Sequence, residues 1–164
     1  LVRIFTQNPR QPYYAPSRHR EMIAKILQNI SITASFIDTP AEALLSDQGE
    51  MDSHTDTQLC GHIVIRCWGS DTLRKVHEIL RGWCLDRLET ICLYLPLNQP
   101  ATAIYCTDLE EQGFFFAGIV PGLDCADWLV MQYLNNQRYD YTVLKAATSF
   151  GKTLIDYVSN CDPL

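Results

Sequence analysis

Residues 66–71 read RCWGSD, between an apolar run, LCGHIVIRCW, and a helical pattern, DTLRKVHEILRGW. A strand, a glycine turn and a helix start together make an anion site. The first helical N–H groups lack intrahelical partners, and the helix dipole adds positive potential there. Gly69 removes a Cβ where a phosphate would need to approach. Asp71 works against that chemistry: a carboxylate at the helix start would occupy the anion site itself. It would also repel a pyrophosphate carrying about two charges of its own sign.

Other reactive residue types are present without the spacing their chemistry needs. FGKT at 150–153 ends like a phosphate-binding loop, but the glycine required five positions before Gly151 is Ala146, and no apolar strand precedes it. The seven cysteines (60, 67, 84, 92, 106, 125 and 161) form no CxxC pair and sit mostly in apolar segments, as small hydrophobes do. An odd count without a disulfide framework fits a reducing, cytoplasmic setting. His54, Cys60, His62 and Cys67 match no usual zinc spacing, so no metal is expected. The four histidines read as ordinary surface or core residues.

The net charge of −6 has one source. Between Lys25 and Arg66 there is no Lys or Arg, while Asp38, Glu42, Asp47, Glu50, Asp52 and Asp56 all fall there. Residues 38–58 therefore read as a solvated acidic loop, able to attract an amine or a basic partner. The balance elsewhere argues against a nucleic-acid interface, which needs a basic face. No apolar run is long enough to span a membrane. At 164 residues and 47% hydrophobic, the chain suits one domain, 1–164. Its first residue, Leu1, suggests a piece of a longer protein.

The elements that must position these residues follow from periodicity. LVRIFT (1–6) reads as a short strand. SRHREMIAKILQNI reads as a helix with Met22, Ile23, Ile26, Leu27 and Ile30 on one face and Ser17 as its cap. SITASFID (31–38) alternates like a strand, and a weak strand is possible near 43–46. LCGHIVIRCW is a strand. Residues 71–84 form a helix with Leu73, Val76, Leu80 and Trp83 inward, capped by Ser70 or Asp71. LETICLYLPL is a strand, PATAIYCTDLEEQ a helix with Pro100 in its first turn, and FFFAGIV and WLVMQYL are strands. The tail from Asp140 is helical with a break at 148–149, where Ser149 can cap. The order describes one α/β (α+β) domain around a mixed sheet.

This order and the RCWGSD turn resemble the GNAT superfamily of N-acetyltransferases. Its pyrophosphate loop, Q/R-x-x-G-x-G/A, lies between the fourth strand and the third helix. Arg66 and Gly69 match it, and Asp71 stands where the family has Gly or Ala. A second fragment matches N-x-x-A-x-x-x-Y followed by G-F, at Asn98, Ala101, Tyr105, Gly113 and Phe114. The family's Tyr commonly lies four residues before that Gly; here Leu109 does, so Tyr105 comes one helical turn early. The resemblance implies a mixed, mostly antiparallel sheet of six to seven strands flanked by helices, and acetyl-CoA as cofactor. It implies that Arg66, Gly69 and Ser70 cradle the pyrophosphate while the Val64 and Ile65 backbone holds the pantetheine and thioester. Tyr105, with Asn98 near it, would be the catalytic acid delivering a proton to the departing thiolate. A donor displaced by about 5 Å is out of reach of a thiolate that must lie near 3 Å. The base is left open among Glu110, Glu111 and the acidic loop.

YYAPSRHREMIAKIL (13–27), GFFFAGIVPGLDCADWLVMQYLNN (113–136) and DYTVLKAATSFGKTLIDYV (140–158) carry a closer resemblance. They are similar to a GNAT-like domain found C-terminally in bacterial proteins with a histidine-kinase-type ATPase domain of the anti-sigma kind. That implies a regulatory setting, with such an ATPase domain as a partner in the parent chain. The resemblance makes acetyl transfer from acetyl-CoA to an amine the first reading. The alternative, which Asp71 and the early Tyr105 favour on mechanism, is a degenerate GNAT-like domain that senses a small-molecule effector or binds a protein; a metal or thiol enzyme built on the cysteines is a distant third.

Overall fold

A computed structural model describes residues 12–122 and 127–163. The strand expected at 1–6 and Cys125 lie outside the described residues.

Five strands form one sheet: β1 (Glu50–Thr55), β2 (Cys60–Cys67), β3 (Thr90–Pro96), β4 (Phe115–Val120) and β5 (Trp128–Leu134), in the order β1-β2-β3-β5-β4. Only β2 and β3 run parallel; the other three neighbouring pairs are antiparallel. A parallel pair needs a crossover, and helix α2 (Thr72–Leu85) supplies it. Helix α3 (Pro100–Glu111) links β3 to β4, while α1 (Arg20–Asn29) precedes the sheet and α4 (Ser149–Cys161) follows it. The mixed, mostly antiparallel α/β architecture is as expected. The expected six to seven strands are not: the described residues contain five.

Alternation sets the layers. Ile63 and Ile65 on β2, and Ile91, Leu93 and Leu95 on β3, are all fully buried on one face. At about 1.5–3 kcal/mol per buried aliphatic side chain, this stripe anchors the domain. Val76 and Leu80 of α2 and Ala101, Cys106 and Leu109 of α3 belong to the same core. Contact is close: a Cβ on Gly61 would lie 2.4 Å from the Trp83 ring of α2. The even-numbered residues of β2 and β3, from Cys60 to Val64 and from Thr90 to Tyr94, are only half-buried. Phe114, Phe115 and Phe116 are all buried, as expected for an apolar run without alternation.

Several expectations need correction. Residues 31–38 form no strand. Ile32, Ala34 and Phe36 do pack on the core, but among the described residues the segment meets another at a single bridge, Tyr13–Phe36. Alternation there reports burial, with no ladder formed among the described residues. The 38–58 segment is not wholly a loop, because β1 lies inside it. EMDSHT exposes all but Met51, and its backbone pairs with β2, so a polar edge strand carries no apolar signal. Near 43–46 there is only a bridge from Ser46 to Gly69. Helix α1 begins after His19 rather than Ser17 and leaves Ile30 exposed past its end. Thr148, not Ser149, caps α4 through its Oγ1, which accepts from the Gly151 N–H.

Candidate functional site

The parallel ladder between β2 and β3 runs from Cys60–Thr90 to Val64–Tyr94 and stops, although both strands continue. Past that rung, the backbone leaving the ladder is bonded instead by Gln99, the residue before α3. Its Nε2 donates to the Arg66 carbonyl at 2.9 Å, and its Oε1 accepts the Trp68 N–H at 3.1 Å. One primary amide thus satisfies an acceptor of β2 and the donor just beyond its end, as a neighbouring strand would.

The turn after β2 is equally filled. Gly69 N–H donates to Thr72 Oγ1 at 2.8 Å, and Ser70 N–H donates to the Ser46 carbonyl at 2.9 Å. Ser70 Oγ donates to the Asp47 carbonyl at 3.0 Å. A Cβ on Gly69 would lie 2.1 Å from the Gly49 nitrogen, so what approaches this glycine is the chain's own 46–49 segment. Asp71 sits at the N-cap position but makes no capping bond. Its Oδ1 accepts the Gly49 N–H at 2.8 Å, and its Oδ2 pairs with Lys75 Nζ at 2.7 Å. The Lys75 hydrogen bond, then the Gly49 N–H, hold its carboxyl below the usual carboxylate range. Lys75 also donates to the Gly49 carbonyl at 3.1 Å. The concavity left beside this turn measures about 270 Å³, lined by Gly49, Met51, Lys75, Glu78 and Ile79. That is below the roughly 300–1,000 Å³ of ordinary ligand pockets.

The remaining expected residues cluster loosely around these two features. Val64 holds the last rung of the parallel ladder, and Ile65 is buried beneath it. The Arg66 guanidinium turns away from the turn: Nε pairs with Asp52 at 2.8 Å, and the group lies 5.9 Å from the Trp128 ring centre. Tyr105 stacks on Trp68 with ring centres 5.5 Å apart. Trp68 Nε1 in turn donates to Thr102 Oγ1 at 3.0 Å. Asn98 is half-buried in the turn between β3 and α3, one residue before Gln99. Glu110, a possible base, is engaged by Arg18 at 3.1 Å and by His19 at 3.0 Å. His19 is fully buried, and its other ring nitrogen meets the Tyr157 hydroxyl at 2.8 Å.

The residues expected in the turn after β2 are thus contacted by groups the sequence did not point to, Gln99 and the 46–49 segment. Gln99 gives no sequence signal, since its role depends on where two strands part. Of the 46–49 segment only Ser46 carried one, as the end of the weak strand possible near 43–46. A larger concavity, of about 530 Å³, lies elsewhere, between residues 141–149 and α4. No protein-family model matches the chain, and searches of curated proteins and of solved structures likewise give no significant match.

Proposed function

We propose that this chain is a GNAT-like domain whose acyl-CoA cleft is filled by its own residues and which serves a regulatory or interaction role. In this reading β2 and β3 stand for the family's fourth and fifth strands. Their parallel pairing, their parting beyond Val64–Tyr94 and the helix that follows β2 support the assignment. The observation that carries the loss of chemistry is the packing of Ser46–Gly49 onto Gly69 and Ser70. Pyrophosphate would need those N–H groups, and a backbone carbonyl already holds one of them. Asp71 adds a negative charge at the same helix start. Gln99 reinforces the reading, because its amide uses the β2 groups that a pantetheine amide would otherwise seek.

The regulatory role rests on the second resemblance, to GNAT-like domains that accompany a histidine-kinase-type ATPase domain. A small-molecule effector or that ATPase domain would then be the partner. The competing reading is acetyl transfer from acetyl-CoA to an amine, with Val64, Ile65, Arg66, Gly69 and Ser70 binding the cofactor and Tyr105 as acid. The strand arrangement itself favours it, but it needs the 46–49 segment and Gln99 to leave. Calorimetric titration of acetyl-CoA into the wild-type protein separates the two. The filled cleft gives no binding heat, whereas micromolar affinity would overturn this proposal in favour of the acyltransferase.

A further inference from the structure

The half-buried face of the sheet carries a group of side chains that the cleft does not use. Cys60 and His62 are two residues apart on β2, so they project from the same face. The parallel register sets Cys92 of β3 directly beside His62. One ligand atom from each of Cys60, His62 and Cys92 lies within 4.8 Å of the other two, and the two sulfurs are 4.0 Å apart. Thiolates on a tetrahedral zinc at about 2.3 Å are separated by ~3.8 Å, so the sulfurs are already near the required spacing. Cys67, considered with this set from sequence alone, is exposed at the far end of β2 and is not in the group.

The surroundings are those of a ligand set with outer support. His62 Nδ1 is 3.2 Å from the Tyr94 hydroxyl, and His62 Nε2 is 3.5 Å from Asp56 Oδ2. Whichever ring nitrogen coordinates, the other keeps an oxygen partner that orients the ring, as metal-bound imidazoles require. Asp56 is fixed in turn, its Oδ1 accepting the Gln58 and Cys60 N–H groups. The His54 ring stacks on His62 with centres 5.0 Å apart and closes one side.

We propose that Cys60, His62 and Cys92 bind a thiophilic divalent metal ion, zinc foremost, with a fourth position open to water or to Asp56. Two thiolates and an imidazole select such an ion over magnesium or calcium, which take oxygen donors. The site is independent of the GNAT reading and would stand if that reading failed. An ordinary cysteine thiol keeps its proton at neutral pH. Binding therefore forms two metal–sulfur bonds and releases about two protons to solvent.

The test is cobalt(II) titration of the reduced wild-type protein, followed by zinc competition. One equivalent of cobalt should give thiolate-to-metal charge-transfer absorption and strong tetrahedral d–d bands, both abolished by zinc. Zinc should also shield Cys60 and Cys92, but not Cys67, from alkylation mapped by mass spectrometry. Cys92→Ser should lose the charge-transfer intensity, Cys67→Ser should keep it, and Asp56→Asn should weaken binding by about 10- to 100-fold. Absence of thiolate bands with the wild type, or unaltered alkylation of Cys60 and Cys92 under zinc, would overturn the proposal. The alkylation map needs no variant, so it decides even if Cys92→Ser fails to fold.

Discussion

Gly69 and Gly49 meet face to face at the start of α2. A Cβ on Gly69 would fall 2.1 Å from the Gly49 nitrogen, and one on Gly49 would fall 2.2 Å from Thr72 Oγ1. Neither space is open to a ligand; each is used by the other segment of the chain.

The first prediction follows from that contact. Gly69→Ala must push the 46–49 backbone away, an overpacking cost of about 1–3 kcal/mol. Gly82 lies within α2 with nothing inside 4 Å of its would-be Cβ. Gly82→Ala should therefore stabilise by about 0.5–1 kcal/mol. Urea unfolding of both variants checks the pair; equal effects at the two sites would show that the Gly69 contact is not tight.

Asp71 should leave a signature in the acid limb of stability. Its folded-state carboxyl is depressed by Lys75 and by the Gly49 N–H, so the unfolded chain binds the proton more readily. The contribution is complete above the unfolded value, near 4, and is lost as pH falls through the lower folded value. Asp71→Asn removes this component. Thermal melts between pH 2 and pH 7 (roughly the window in which carboxylates titrate) should converge at the acid end for wild type and variant. Parallel curves would contradict it.

How much of this was legible depended on what each residue faces. Ile63, Ile65, Ile91, Leu93 and Leu95 put alternating apolar side chains into one core, and both central strands were apparent from that alternation. The β1 strand was not, because only Met51 turns inward and the rest is solvated edge. Ile32, Ala34 and Phe36 gave the converse error: side chains reach the core, but among the described residues no strand pairs with them beyond one bridge. Asp71 was legible as a carboxylate at the helix start, but its bond to the distant Gly49 N–H was not. Gln99 and Cys92 were not, since their roles arise only when β3 lies parallel to β2.

Gln99 supports the third prediction. Gln99→Ala strips partners from the Trp68 N–H and the Arg66 carbonyl and should cost about 1–3 kcal/mol. Gln99→Glu keeps an acceptor for Trp68 but loses the donor to Arg66, so it should fall between the two at neutral pH. An alanine variant as stable as wild type would mean that water replaces the amide without loss.

His19 gives a fourth. Burial lowers its pKa, opposed by Glu110 and assisted by Arg18, while Tyr157 holds the other nitrogen. The unfolded chain therefore takes up the proton first as pH drops. This contribution is complete above about 6.5 and declines as pH falls from there through the lower folded value. His19→Gln should flatten the stability profile over that interval and destabilise at neutral pH by about 1–3 kcal/mol. A profile with the wild-type slope would exclude His19 as its source.

The Ser70 and Trp68 N–H groups are already taken by the Ser46 carbonyl and the Gln99 amide. Amide hydrogen exchange of the wild-type protein, resolved at residues 49, 68 and 70 with and without saturating acetyl-CoA, tests it most directly. Exchange should be slow at all three in the free protein and unchanged on adding acetyl-CoA. Fast exchange at Trp68 and Ser70 that becomes slow with acetyl-CoA would contradict it and restore the cofactor site.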